Sequence, residues 1–176
     1  TRILADEGNT YDPWNYWVFR SEVGGKMENE DSRKLEETWT SFSANRVTED
    51  WRLGVGIDYK QKNRQFLLED GSKLDDNTNR NSITAAAIKS LNPNWSVGLG
   101  ASGQQSTYRN LDLSQRVAAA LEYNIFPYRL SAEKALTLGY FLGATNYSYE
   151  QTTVFGLLEE TRVDHGVFAE LDIAQT

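Results

Sequence analysis

Apolar and polar residues alternate with a period of two from end to end of this chain, while helical periodicity is weak. Near the start, Trp17, Phe19, Val23 and Met27 share one parity, and Arg20, Glu22, Lys26 and Glu28 take the other with Gly24 among them. From Trp51, the set Trp51, Leu53, Val55, Ile57 and Tyr59 alternates with Arg52, Gly54, Gly56, Asp58 and Lys60. Similar stretches begin at Trp95, Arg116, Leu136 and Arg162, and the last sets Val163, Val167, Ala169, Leu171 and Ile173 against Arg162, Asp164, Glu170 and Asp172. Two weaker stretches, about 35–46 and 80–91, fill the gaps; in the first, Thr38, Thr40, Phe42 and Ala44 are the candidate apolar side. Successive side chains of a strand point to opposite faces, so each stretch reads as a strand with one apolar and one polar face. The pattern predicts roughly eight strands of roughly ten to fourteen residues, close to what a tilted membrane strand needs and longer than the usual five or six of soluble sheets.

Composition narrows the class. Apolar residues make up 39% of 176 residues, mean hydropathy is −0.59, and nothing approaches the run of about eighteen apolar residues that a membrane helix requires. A membrane barrel escapes that test, because only every second residue of its strands meets lipid. The three prolines fit a chain held mostly in hydrogen-bonded strands. There is no cysteine, which removes disulfides, thiolate metal sites and a cysteine nucleophile. The 18 basic and 25 acidic residues leave a net charge of −7 without a basic stripe, which argues against nucleic acid as a partner.

The connections read as alternating in length. Tight turns are expected around Val47–Asp50 and Asn92–Asn94, and long polar loops over 63–79 and 150–160, with an open stretch at 106–112. Short turns on one side and long loops on the other form the outer-membrane pattern, with the short turns periplasmic. At that periplasmic level fall Trp14, Tyr16, Trp17, Trp51, Trp95, Tyr123, Phe126 and Tyr128; near the outer ends fall Tyr59 and Tyr147. Trp and Tyr favour the headgroup zone, so these are candidate membrane-interface aromatics.

The expected fold is therefore all-β: an antiparallel up-and-down transmembrane β-barrel with roughly eight strands in view, either closed on itself or part of a larger barrel. Residues 1–14 read as a lead-in and 15–176 as the barrel domain. No signal peptide opens the chain, and no aromatic residue ends it, so a barrel truncated at its C-terminal end is expected. The segments Asp12–Arg20, Ser43–Glu49 and Glu122–Tyr128 resemble the barrel region of a family of uncharacterised bacterial outer-membrane proteins. That resemblance implies an outer-membrane location and a barrel that continues past this endpoint, often behind a periplasmic domain. It carries no established activity, so no functional residue is transferred.

The polar parity supplies the candidate interior charges: Arg20, Glu22, Lys26, Arg52, Asp58, Lys60, Arg116, Glu122, Arg162, Asp164, Glu170 and Asp172. Positive and negative members nearly balance, which suits either an ion-paired interior or a small polar passage. The expected partners are outer-membrane lipid and other outer-membrane or periplasmic proteins. Two alternatives compete. A soluble lipocalin-like barrel alternates in the same way with its apolar side inward. An outer-membrane hydrolase needs a base, and His165, the single histidine, is adjacent to Asp164; strand neighbours face opposite ways, so that pair is not expected to act together. No catalytic residue, metal site or cofactor is assigned. The acidic stretch Glu69, Asp70, Asp75, Asp76 and Asn77 lacks the spacing of a calcium loop and reads as a solvated loop.

Overall fold

A computed structural model describes residues 12–126 and 134–173. The chain forms β1 (Trp17–Asn29), β2 (Arg33–Val47), β3 (Trp51–Leu67), β4 (Lys73–Ser90), β5 (Trp95–Ser106), β6 (Leu111–Asn124), β7 (Lys134–Tyr149) and β8 (Glu159–Ile173). A single 3₁₀ turn, Thr107–Arg109, joins β5 to β6. Each strand pairs antiparallel with the next, giving one eight-stranded meander in sequence order. The expected all-β, up-and-down architecture is therefore present. Closure is not: among the described residues no pairing joins β1 to β8, and the sheet is open.

Turn chemistry explains where the strands reverse. The Thr48 hydroxyl accepts the Trp51 N–H at 3.0 Å, closing the β2–β3 turn. Asn92 Oδ1 accepts the N–H groups of Asn94 and Trp95 at 3.0 and 2.9 Å, an Asx-turn that frames Pro93. At the β3–β4 tip, Gly71 takes a φ of +80°, which an L side chain rarely adopts. Beside it the Ser72 hydroxyl and backbone N–H both donate to Asp70, holding its carboxyl below the usual range.

The long polar loop expected over 63–79 is instead a continuation of the β3–β4 hairpin, with only residues 68–72 between the strands. The ladder survives there because its polar side chains match across it. Arg64 faces Asp76 at 3.6 Å, Gln65 donates to Asp75 at 2.9 Å, and Phe66 stands opposite Leu74. The predicted contrast in loop length consequently fails. Connections at one end span 30–32, 68–72, 107–110 and 150–158, and those at the other span 48–50, 91–94 and 125–133. What differs between the ends is how far polar strand continues beyond the apolar stretch. Strands accordingly run from 12 residues in β5, within the expected ten to fourteen, to 18 in β4, beyond it.

The register settles the facing of β2. Thr40 stands opposite Val23, and Ala44 opposite Phe19, so Thr38, Thr40, Phe42 and Ala44 do lie on the apolar face. Leu35 and Trp39 then share the polar face with Glu37. There is almost no core between layers. Among the described residues only Leu35, Ala44 and Leu111 are buried apolar side chains.

Candidate functional site

The functional surface is the sheet itself, with a charged face and an apolar one. By register, every charge expected on the polar side lies on that face: Arg20, Glu22 and Lys26 on β1, Arg52, Asp58 and Lys60 on β3, Arg116 and Glu122 on β6, and Arg162, Asp164 and Glu170 on β8. The Asp172 side chain lies outside the described residues; its backbone pairs with Ala135.

This face is the concave one. Arg52 on β3 donates to Glu122 on β6 at 3.0 Å, although β4 and β5 lie between them. Three strand spacings amount to about 14 Å in a flat sheet, near the combined reach of both side chains lying prone, so side chains standing off the sheet meet only if it curls towards them. Exposure agrees. The Glu37 and Glu122 side chains keep 14% and 12% of their surface, whereas Val23 and Val167 keep 79% and 82%.

The charges on the sheltered face are braced by pairs. Glu37 receives Lys60 at 2.6 Å and Lys62 at 3.4 Å. Arg116 grips both carboxylate oxygens of Asp164 at 2.6 and 2.8 Å and also donates to the Thr145 hydroxyl at 3.0 Å. To reach from β6 to β8, the guanidinium lies flat across β7 at Gly143, where a Cβ would stand 2.4 Å from Nη2. A side chain at this position would push the guanidinium off its present path, so the glycine leaves room for the bridge. Aromatic rings use the same device: Trp39 lies over Gly24 and donates from Nε1 to Glu22 at 3.1 Å, and Phe168 lies over Gly139. On the β1–β4 part of this face, Glu22, Glu37, Trp39, Asp58, Lys60 and Arg80 line a cavity of about 650 Å³.

The opposite face carries an apolar band with marked rims. On β3 it runs from Trp51 to Tyr59, about 26 Å along the strand. At the lower rim, Trp17 stacks near Phe19 at 6.1 Å, Trp95 packs on Tyr123 at 4.9 Å, and Lys89 sits 5.5 Å over the Trp51 ring. Trp14 and Tyr16, both exposed, lie just outside in a turn whose N–H groups are capped by Asp12, while Phe126 follows β6 half-buried. Tyr128 lies outside the described residues. At the upper rim, past Tyr59, the same face turns to side-chain amides: Gln61, Asn81, Gln105, Gln115 and Asn146 occupy β3 to β7. Across the middle, alanines at 85, 87, 101, 119 and 144 leave a shallow groove of about 770 Å³.

No family profile, curated protein or solved structure matches the chain.

One expected rim aromatic is misplaced. Tyr147 pairs with Glu160 on the polar face, stacks on Tyr149 and lies under Arg162 at 5.6 Å. Its level along the strand points to the rim, but its parity is that of Thr145, which lies on the polar face. Glu160, expected in a loop, is the hub of this corner: it accepts from Arg162 at 2.8 Å and from the Tyr149 hydroxyl. His165 lies on the apolar face beside Tyr140, centroids 5.9 Å apart, while Asp164 points to the other face. The two therefore form no dyad. Among the described residues, no group of three His, Cys, Asp or Glu could hold a metal ion.

Proposed function

We propose that this chain forms the membrane-spanning wall of a bacterial outer-membrane β-barrel, with its apolar face in lipid and its charged face lining the interior. One observation carries the reading: the large exposed apolar side chains gather on the convex face, while the charges are paired on the concave one. A soluble ligand-binding barrel needs the reverse, since apolar surface is expelled from water. Aromatic residues at the lower rim and amides at the upper one suit the two edges of a hydrocarbon layer. The resemblance to outer-membrane barrel segments points the same way.

The role that follows is a structural and interaction element held open or shut by its interior ion pairs. Passage or transient binding of a small polar solute is a second reading, favoured by the cavity beside Trp39, whose wall carries both charge signs.

Tryptophan position provides the test. Among the described residues Trp39 is the one tryptophan on the polar face; Trp51 and Trp95 stand on the apolar face. Single-tryptophan variants reconstituted in vesicles containing brominated acyl chains are expected to show strong quenching for Trp51 or Trp95 and little for Trp39. Strong quenching of Trp39 with protection of Trp95 would invert the sheet and sink the proposal.

A further inference from the structure

The two open edges of the sheet are complementary to one another, and the register shows how. Straight across the ladder, Trp17 leads to Arg46, Leu53, Ala87, Leu99, Ala119, Leu142 and finally His165. His165 lies eight residues before Ile173, where β8 ends at the same side as the start of β1. The strand ends thus accumulate a stagger of eight residues over eight strands. A stagger of eight is one at which an eight-stranded sheet can close, with strands tilted by about 36° and an interior just wide enough for side chains to fill it.

Resting on the membrane reading above, and in place of the larger, truncated barrel expected from the sequence, we infer that β1 pairs with β8 of the same chain, with Trp17 opposite Ile173, and so closes an eight-stranded barrel. Charge complementarity selects this register. It sets Arg20 opposite Glu170, Lys26 opposite Asp164, and Glu28 opposite Arg162, and creates no like-charged pair. Sliding by two residues either way keeps each face in place but brings like charges together. One slide opposes Lys26 to Arg162 and Glu28 to Glu160; the other opposes Glu22 to Glu170 and Glu28 to Asp164. Arg20 and Glu170 are, moreover, exposed charges with no side-chain partner among the described residues. Gly24 comes opposite Gly166, which sets the rings lying over them, Trp39 and Phe141, side by side in the interior. The driving force is the edge itself: unpaired backbone N–H and C=O groups along both edge strands find no partner in hydrocarbon.

Because the chain contains no cysteine, the register can be read by disulfide formation. Ser21 and Ala169, opposite each other in this register, are exposed on the lipid side. The full chain carrying Ser21→Cys and Ala169→Cys, folded in detergent micelles and oxidised, is expected to form an intrachain disulfide. Its rate should exceed by at least about tenfold that of a Ser21→Cys, Val167→Cys control, since diagonal neighbours lie beyond easy disulfide reach. A folded, heat-modifiable chain that forms no crosslink overturns closure and leaves the membrane reading intact, because other strands then occupy the edges. A disulfide formed only between two chains also overturns it, in favour of a second copy. A crosslink formed equally well in plain buffer keeps closure and overturns the membrane reading. Should the cysteine variants fold poorly, charge reversal decides: Arg20→Glu alone is expected to lower the heat-stable fraction and Arg20→Glu with Glu170→Arg to restore it, and absence of that rescue contradicts the pairing.

Discussion

Leu99→Arg is expected to destabilise the lipid-folded protein by about 2–4 kcal/mol, the range for a cation at the bilayer midplane on a barrel's outer face. Leu99 lies on the apolar face at the middle of the sheet and keeps 69% of its surface. In water such a residue is a loose end, and replacing it with arginine would change stability by no more than about 0.5 kcal/mol. The same substitution therefore yields a large loss in one account and almost none in the other. Depth supplies the internal control. Gln61→Arg is on the same face but past Tyr59, among the side-chain amides, and should cost about 0–1 kcal/mol. Denaturant titration of both variants in vesicles measures the two values. Equal, small effects at the two positions would remove the apolar band from the membrane.

Gly139→Val should be the most damaging change on the concave face. A Cβ at Gly139 would stand 2.1 Å from Phe168 Cζ, so the ring that lies across β7 has to leave. Overpacking of this kind costs about 1–3 kcal/mol. The effect is steric and specific to the pair, so it should not add with removal of the ring. Phe168→Ala in the Gly139→Val background is expected to return part of the loss, with an interaction energy of about 1 kcal/mol or more. Gly100→Ala is the contrasting case: its Cβ would meet only the Ala85 carbonyl at 3.9 Å, and little change is expected. If Gly139→Val were as mild as Gly100→Ala, the close ring-to-backbone packing would be refuted.

Much of this arrangement was legible in the alternation. A strand with one apolar face cannot slip by one residue without exposing its whole pattern, so parity alone assigned Arg52, Glu122, Arg116 and Asp164 to one face. It failed where the pattern carries less contrast. In β2, Leu35 and Trp39 are apolar residues on the polar face, and only the pairing with β1 resolves them. Trp39 is there because Gly24 leaves room for its ring and Glu22 accepts its N–H, a cross-strand relation that no single strand displays. Hence the sequence of β2 alone does not place Glu37, the acceptor of Lys60 and Lys62, on the polar face.

Polarity over 63–79 and around Glu160 reads as loop in the sequence, yet polar residues sustain a ladder when opposite charges and amides match across it. The height of Tyr147 on its strand points to the rim, whereas its parity places it on the polar face. Nothing in the sequence announced that Arg116 would cross Gly143 to Asp164, because the contact joins three strands. The side-chain amides at the upper rim were equally hidden: each of Gln61, Asn81, Gln105, Gln115 and Asn146 is an ordinary strand residue until the register aligns them.

An apolar face turned outward makes folding of this chain dependent on detergent. The chain is refolded from denaturant with and without micelles, and heated and unheated samples are compared on a gel. The account predicts a compact, heat-modifiable β-form that appears only with micelles. A stable, monomeric β-protein formed in plain buffer would contradict it, because the face bearing Val23, Leu99 and Val167 would then have to be buried away from water.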